Sequence, residues 1–211
     1  LHTSRIPVRE ALNRLEQHGL VHDAGQPDVM RGEETQIVGA LALHPDLAAQ
    51  SCLVLPGTHS KWARVQAGRV TGFATHMTGE LYALLRQHSV LARLMPADAA
   101  AAPSSEAFLA GVDAARKEGA LSHQLFAVRT LGLFKQLGAE QLPDYLSGLL
   151  IGHELASELK DTQPRVALIG DPGLCARYGQ ALTRFGQPEP QLLDNTAPAG
   201  LWALAQTMNL N

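Results

Sequence analysis

The sequence predicts an α/β fold. Two features of the chain lead to this prediction. Three short runs rich in strand-forming residues follow one another between residues 51 and 75, and two later apolar runs alternate with helical segments. A chain of 211 residues is also long enough to bury about 70% of the surface of its unfolded form, so we expect a sizeable core.

Apolar periodicity, caps and turn residues place the elements of the first half. Ser4 suits the N-cap and Gly19 the end of the first helix, Pro45 ends the second, and Ala67-Gly68 suits a hairpin turn. The predicted elements are a helix at 3–21, a helix at 34–43, strands at about 51–56, 62–67 and 69–75, and a helix from 77 to about 93.

The second half begins with an Ala/Pro-rich loop from Pro96 to Pro103. Pro143 suits the first turn of a long helix, and the glycines and proline of 170–173 mark a loop after a buried strand. The predicted elements are helices at 104–117, 121–137 and 143–160, a strand at 166–169, a helix at 174–184, a strand at 191–193 and a helix at 198–208.

Composition argues against several classes of protein. The formal net charge is −3, so no overall basic field favours nucleic acid or a membrane surface. No apolar run approaches the ~20 residues of a membrane helix, and nothing resembles a signal peptide, so we expect a cytoplasmic chain. Cys52 and Cys175 are expected to be reduced and structural. The nine histidines show no metal-ligand spacing, and we predict no metal ligands.

The turn between the first two strands has the chemistry of a phosphate site. Gly57, Thr58, Ser60 and Lys61 interrupt an apolar run and offer backbone N–H groups, two hydroxyls and one positive charge. This is not a Walker A loop, because a strand and not a helix follows it. Ordinary turn chemistry also accounts for Pro-Gly-Thr, so the residues alone leave both interpretations open.

Several short motifs occur in register along the chain. They are Met-Arg-Gly-Glu-Glu-Thr-Gln (30–36), Pro-Gly-Thr-His-Ser-Lys-Trp (56–62), Met-Thr-Gly-Glu-Leu (77–81), Tyr-Leu-Ser-Gly-Leu-Leu-Ile-Gly (145–152), Leu-Ile-Gly (168–170) and Ala-Arg-Tyr (176–178). Together they resemble the 2-dehydro-3-deoxygalactonokinase family over about residues 27–210. The predicted element order likewise resembles the ribonuclease-H-like C-terminal lobe of the actin-like ATPase fold, which sugar kinases share with actin and heat-shock chaperones.

The resemblance implies ATP- and Mg²⁺-dependent phosphorylation of the 6-hydroxyl of 2-dehydro-3-deoxy-D-galactonate, a step of galactonate catabolism. ATP and the sugar acid are therefore the expected partners. Members of the family begin with a first lobe that is missing from this sequence. We accordingly expect residues 27–50 to be the crossover helix of that first lobe and residues 51–211 to form the C-terminal kinase lobe.

The resemblance also implies roles for the nucleotide-binding residues. In the superfamily, the first hairpin of this lobe holds the phosphates and the turn after a later strand receives adenosine. The matching residues are Gly57, Thr58, Ser60 and Lys61 in the hairpin, and Gly170, Asp171 and Gly173 in the later turn. A plain glycine-rich connection between a strand and a helix explains the second group almost as well.

Related sugar kinases place the carboxylate that accepts the hydroxyl proton at the start of the crossover helix. Glu33 and Glu34 both match that position, and the sequence does not choose between them. Either residue also simply suits the positive end of a helix dipole. Arg31 is the candidate for the substrate carboxylate, or pairs with Glu34. Further candidate substrate contacts are Thr78 and Glu80, although Thr78 alone suits an N-cap.

Residues 1–26 resemble a different family. Ser4–Leu12, followed by Gly19-Leu20-Val21, is similar to the recognition helix of GntR-family winged helix-turn-helix repressors. A recognition helix without its supporting helices cannot hold a groove-reading pose, so we expect no nucleic-acid partner. Two alternatives to a kinase remain open: a ligand-sensing DNA-binding regulator, and a non-catalytic remnant that forms homo-oligomers through its uncovered cleft face.

Overall fold

A computed structural model describes residues 28–96, 103–159 and 165–207, which form one sheet with helices on both faces. The strands are β1 (Gln50–Leu55), β2 (Ser60–Gln66), β3 (Arg69–His76), β4 (Arg165–Ile169) and β5 (Gln191–Leu193). The helices are α1 (Glu33–Leu43), α2 (Thr78–His88), α3 (Ser105–Ala115), α4 (Leu121–Leu133), α5 (Leu142–Glu158), α6 (Pro172–Arg184) and α7 (Ala197–Thr207), with short 3₁₀ helices at Pro45–Leu47 and Ala92–Leu94.

The sheet has the order β3-β2-β1-β4-β5. The meander β1–β2–β3 is antiparallel, whereas β4 pairs with β1, and β5 with β4, in parallel. The carboxyl ends of β1, β4 and β5 therefore lie along one edge, together with the β1–β2 turn and the end of β3. Ligands of open α/β sheets bind at this edge, and the predicted site loops meet there.

Strand alternation divides the core between the two faces of the sheet. Leu53 and Ala63 face one side and pack with Ile37 of α1, while Val54 and Trp62 face the other side and pack with helices α3, α5 and α6. A third apolar cluster lies among α2, α3, α4 and α5. Because successive strand residues point to opposite faces, neighbouring residues of β2 serve different sides of the molecule.

Helix α1 is held by a close crossing with α7. A Cβ on Gly39 would lie 1.9 Å from the Thr196 carbonyl oxygen, and one on Gly200 would lie 1.9 Å from that of Thr35. The Thr196 hydroxyl also donates to the Gln36 carbonyl at 2.7 Å. Only glycine permits this approach, so the crossing fixes where α1 begins relative to the sheet.

The predicted order of helices and strands within the described residues is confirmed, and the main differences concern element ends. The helix predicted to run to residue 93 ends at His88, because Ser89 is extended and its hydroxyl accepts the Leu91 N–H. The helix predicted to end at 137 stops at Leu133, shortly before Lys135, which has a φ of 56°. Strand β2 begins two residues earlier than predicted, because Ser60 pairs with His76.

Both cysteines are buried and unpaired, as predicted. Burial raises the pKa of the Cys52 thiol to about 12. The helix-turn-helix prediction for residues 1–26 lies outside the described residues, as does most of the Pro96–Pro103 loop. Within the described ranges, none of the helices combines the length and the apolar character that crossing a bilayer requires.

Candidate functional site

The β1–β2 turn is docked onto the start of α2. A Cβ on Gly79 would lie 2.5 Å from the Gly57 carbonyl oxygen and 2.8 Å from the Thr58 Cα, so this position requires glycine. The Glu80 N–H donates to the Thr58 carbonyl at 3.0 Å. The His59 ring and the Glu80 carboxylate lie 2.5 Å apart. The turn is therefore held by backbone packing, a backbone hydrogen bond and a side-chain pair.

The four residues predicted to hold phosphates divide into two groups. Gly57 is partly exposed and Thr58 is exposed at the tip of the turn. Ser60 is fully buried, and its hydroxyl lies 2.8 Å from that of Tyr178 on α6. Lys61 is 4% exposed and points to the opposite face of the sheet, where its Nζ lies 3.5 Å from Glu33 Oε1. The structure thus brings Lys61 to a predicted catalytic carboxylate.

The two predicted carboxylates at the start of α1 differ in their surroundings. Glu33 Oε2 accepts the Arg31 N–H at 2.6 Å, and its side chain is 26% exposed. Glu34 Oε2 accepts the Gly32 N–H at 2.8 Å, and the residue is 6% exposed. Both carboxylates accept backbone N–H groups of the two residues that precede the helix, but only Glu33 combines partial exposure with a contact to Lys61.

The segment before α1 is anchored to the end of β3. Asp28 accepts both the Thr75 N–H at 2.8 Å and the Thr75 hydroxyl at 2.6 Å. These bonds place the following Arg31 at the carboxyl edge of the sheet. Arg31 is exposed, and no ion pair between it and Glu34 is present, contrary to one of the two alternatives from the sequence.

A cavity of about 280 Å³ opens beside the docked turn, between α2, α5 and α6. Three aliphatic side chains and two tyrosines form half of its wall, and one threonine, one serine, two glycines and one arginine form the other half. Its lining residues are Gly57, Thr78, Gly79, Tyr82, Ser147, Leu150, Ile151, Leu174, Arg177 and Tyr178. A mostly apolar cavity with a few converging polar groups is typical of small-molecule sites.

One cationic side chain of the cavity wall is already paired. The Arg177 guanidinium contacts the Asp144 carboxylate at 2.5 Å and lies over the Phe108 ring, 5.4 Å from its centroid. Asp144 also accepts the Ser104 N–H at 2.6 Å. Because the guanidinium is held on two sides, Arg177 presents a fixed donor edge to the cavity.

A buried carboxylate lies behind two residues of the cavity wall. Glu154 of α5 is 2% exposed and accepts from Trp62 Nε1 at 2.7 Å, from the Tyr178 hydroxyl at 2.8 Å, and from the Thr78 hydroxyl. Burial raises the pKa of Glu154, although these three donors oppose the shift. Burial and the charge of Glu154 likewise raise the pKa of Tyr178 well above its ordinary value.

A second carboxylate, one helical turn further along α5, lies under the sheet and away from the cavity. Glu158 contacts Arg64 at 2.9 Å and His76 Nε2 at 2.9 Å. Burial opposes protonation of His76, but the hydrogen bond to Glu158 and the charges of Glu154, Glu158 and Asp28 outweigh it and raise the His76 pKa. His76 is thus paired with Glu158 and lies away from the cavity lining.

The glycine-rich turn after β4 adjoins the same edge. A Cβ on Gly170 would lie 3.3 Å from the Pro56 carbonyl oxygen, so this turn and the β1–β2 turn are neighbours. Asp171 caps α6 by accepting the Leu174 N–H at 2.9 Å. Gly173 is exposed. Of this region, Leu174 lines the cavity, whereas Gly170, Asp171 and Gly173 do not.

Sequence reasoning missed five residues of the site: Tyr82, Ser147, Glu154, Arg177 and Tyr178. Ser147, Arg177 and Tyr178 lie inside quoted motifs but were given no role. Glu154 could have been noticed in the sequence, since it is a charged residue between the apolar run 149–151 and Leu155 of a predicted helix. Tyr82 carried none, because its importance depends on how α2 packs against α5.

No cluster of three or more His, Cys, Asp and Glu side chains able to hold a metal ion exists in the part of the chain that the structure describes.

Comparison with known proteins identifies the family. The family model described as 2-keto-3-deoxy-galactonokinase matches residues 14–204. The chain is 39% identical over 185 residues to the 2-dehydro-3-deoxygalactonokinase of Escherichia coli (strain K12), covering 86% of this chain and 61% of that protein. It is 40% identical over 191 residues to a Rhizobium meliloti (strain 1021) protein named as a probable 2-dehydro-3-deoxygalactonokinase, covering 88% and 61%.

A solved structure gives the same result. The crystal structure of a proposed 2-dehydro-3-deoxygalactonokinase from Sinorhizobium meliloti superposes with a TM-score of 0.79 at 37% identity, covering 88% of this chain and 62% of that one. The chain therefore spans about three fifths of the length of these relatives. The helix-turn-helix resemblance of residues 1–26 receives no support, since the family match begins at residue 14, within that stretch. The chain belongs to the 2-keto-3-deoxy-galactonokinase family.

Proposed function

We propose that this chain carries the nucleotide-binding lobe and the catalytic carboxylate of a sugar-acid kinase, which phosphorylates 2-dehydro-3-deoxy-D-galactonate at its 6-hydroxyl with ATP. The relatives named as 2-dehydro-3-deoxygalactonokinases support the reaction class. The observation that carries the proposal is that three features lie along one sheet edge: the docked turn at Gly57 and Thr58, the cavity beside it on one face of the sheet, and the Lys61–Glu33 pair on the other face.

The cavity is the proposed site of the nucleoside. Its volume of about 280 Å³ is at the lower end for small-ligand sites, which suits one base and ribose more than a whole nucleotide. Tyr82, Leu150 and Leu174 offer apolar contacts to a base, and Arg177 offers hydrogen-bond donors. The phosphates would then extend over Gly57 and Thr58 toward Gly170 and Asp171, and Ser60 would support the turn from below.

Glu33 is the proposed base. A general base must reach the hydroxyl proton, and Glu33 is partly exposed at the carboxyl edge, whereas Glu34 is buried against Gly32. The Arg31 N–H and the Lys61 ammonium hold the two oxygens of the Glu33 carboxylate, one each. That arrangement orients the carboxylate toward an attacking hydroxyl while Lys61 offers positive charge to the transferring phosphoryl group.

The substrate contacts follow from the same geometry. Arg31 is exposed beside Glu33 and is the proposed donor to the carboxylate of the sugar acid. Thr78 and Glu80 lie at the start of α2, where Thr78 lines the cavity and Glu80 faces His59. We therefore propose that these two residues shape the turn rather than contact the sugar acid directly. When bound with the nucleotide, Mg²⁺ would supply neutralisation of the negative charge that develops during phosphoryl transfer.

The test is Mg²⁺-dependent ADP formation by the 211-residue chain with 2-dehydro-3-deoxygalactonate. We expect turnover that Glu33→Gln reduces by at least a hundredfold. Glu34→Gln is the matched control, because it changes a neighbouring carboxylate that is buried. It should reduce the turnover rate by less than tenfold. Equal losses for the two variants would contradict the assignment of Glu33. Absence of turnover and of nucleotide binding in the folded wild-type chain would contradict the kinase proposal.

A further inference from the structure

We propose that Glu154 is a positioning residue that couples the phosphate-binding turn to the walls of the cavity. It touches no ligand in this account and acts through the side chains that it holds. The proposal deepens the proposed function, because it rests on that function for the identity of the ligand. The positioning itself is a property of the described residues and is testable without a ligand.

The first argument is that three different elements meet at one carboxylate. Trp62 belongs to β2, Thr78 to α2 and Tyr178 to α6, and each donates to Glu154 of α5. Two of these donors, Thr78 and Tyr178, are themselves part of the cavity wall. A carboxylate with three donors, buried to 2% exposure, fixes the relative positions of all four elements.

The second argument is that the same network reaches the turn from both sides. The Tyr178 hydroxyl that donates to Glu154 also lies 2.8 Å from the Ser60 hydroxyl, at the end of the turn. Thr78 precedes Glu80, whose N–H donates to the Thr58 carbonyl. Displacing the Glu154 carboxylate would therefore disturb the support of Ser60 and the docking of Thr58 together.

The third argument concerns energy. Burying a carboxylate costs several kcal/mol unless donors compensate, and an apolar side chain would fill the same volume without that cost. Of the three donors to Glu154, Thr78 and Tyr178 line the cavity, and Trp62 belongs to β2, the strand that follows the turn. Glu158, one turn further along α5, is also buried and paired, but its partners are Arg64 and His76, and neither of these lines the cavity. Glu158 thus provides a matched control.

The experiment is ¹H–¹⁵N NMR on the full chain and on Glu154→Gln, which keeps the side-chain volume. The Trp62 indole N–H resonance reports its bond to Glu154, and Trp202→Phe removes the second indole signal. The Glu80 amide reports turn docking through its hydrogen-exchange rate. We expect Glu154→Gln to shift the indole resonance and to speed Glu80 exchange at least tenfold, whereas Glu158→Gln changes neither.

Titration with ADP supplies the functional half of the test. We expect Glu154→Gln to raise the Kd of ADP about tenfold, and Glu158→Gln to leave it within twofold. Unchanged Glu80 exchange in a folded Glu154→Gln chain would overturn the proposal, whatever the ADP result. A wild-type chain that binds no ADP would instead contradict the proposed function, and the exchange rates would still decide the role of Glu154.

A second variant covers the case in which Glu154→Gln does not fold. Tyr178→Phe removes the hydroxyl that lies between Ser60 and Glu154 and so separates Ser60 from the carboxylate, while Trp62 and Thr78 still donate. We expect a smaller increase in Glu80 exchange, about threefold, and a retained indole resonance. An exchange rate equal to that of the wild type would count against the coupling of Glu154 to the turn.

Discussion

The ammonium group of Lys61 lies 3.5 Å from the Glu33 carboxylate, so a nearly buried residue of β2 is tied to the first turn of α1. The two side chains are unequally exposed, 5% for Lys61 and 26% for Glu33. Removing either partner therefore has different consequences. Loss of Glu33 leaves a buried ammonium without its counter-charge, whereas loss of Lys61 leaves a carboxylate that water still reaches.

This asymmetry gives a prediction for stability. We expect Glu33→Gln to lower the free energy of unfolding by about 1–2 kcal/mol, because a buried charge loses its partner. Lys61→Met should lower the free energy of unfolding by less than Glu33→Gln does. The double variant Glu33→Gln/Lys61→Met should be more stable than Glu33→Gln alone. Urea denaturation of the four proteins measures this cycle. Strictly additive effects would show that the two groups do not interact in solution.

The docking of the turn on α2 gives a prediction with an internal control. Gly79→Ala places a methyl group 2.5 Å from the Gly57 carbonyl oxygen. Because this oxygen belongs to the backbone, the turn or the helix must shift to relieve the clash. We expect a loss of about 1–3 kcal/mol, despite the better helix propensity of alanine. At Gly57 itself a Cβ meets nothing within 4 Å, so Gly57→Ala should change stability by no more than about 0.5 kcal/mol. Similar thermal unfolding of both variants would contradict the docked geometry.

Two histidines are expected to respond oppositely to pH. Despite burial, Glu158 and the nearby carboxylates raise the folded-state pKa of His76, so its contribution to stability is fully present below pH 6.5 and is lost as pH rises through the raised value. Burial lowers the folded-state pKa of His153, so its contribution is present above pH 6.5 and is lost as pH falls through the lowered value.

Urea denaturation at pH 5.5 and at pH 8.5 measures how much each of the two histidines contributes to stability. The destabilisation caused by His76→Asn should be larger at pH 5.5 than at pH 8.5, and that caused by His153→Asn should be larger at pH 8.5. The wild type at each pH is the reference, so general acid effects cancel. A pH-independent cost for His76→Asn would mean that the His76–Glu158 pair does not change its protonation on unfolding.

The order of elements was predictable because local signals and tertiary structure agree along this chain. The Ala67-Gly68 turn has positive φ at both residues, as tight hairpins require, and Pro172 and Asp171 begin α6 in the usual manner. Helix ends were less predictable. The early end of α4 depends on Lys135 in a positive-φ conformation, which its residue type does not indicate.

The candidate site was predictable only in part. Its loops lie at strand ends and carry glycines and charges that stand out in the sequence. The face of the sheet to which Lys61 points could also be predicted, because alternation along β2 places Lys61 on the same face as Ala63 and opposite to Ser60 and Trp62. The residues of the cavity wall could not be predicted in this way. Tyr82, Ser147 and Arg177 are far apart in sequence and meet only after three helices have packed.

The central claim is that the cavity between α2, α5 and α6 binds the nucleoside of an adenine nucleotide. Calorimetric titration of ADP into the wild type, Ser147→Phe and Ser147→Ala tests it most directly, since Ser147 lines the cavity and is partly exposed. We predict that the wild type and Ser147→Ala bind ADP within threefold of each other, and that Ser147→Phe, which fills the cavity, binds at least thirtyfold more weakly with an unchanged circular dichroism spectrum. Equal ADP binding by the wild type and Ser147→Phe would contradict the account.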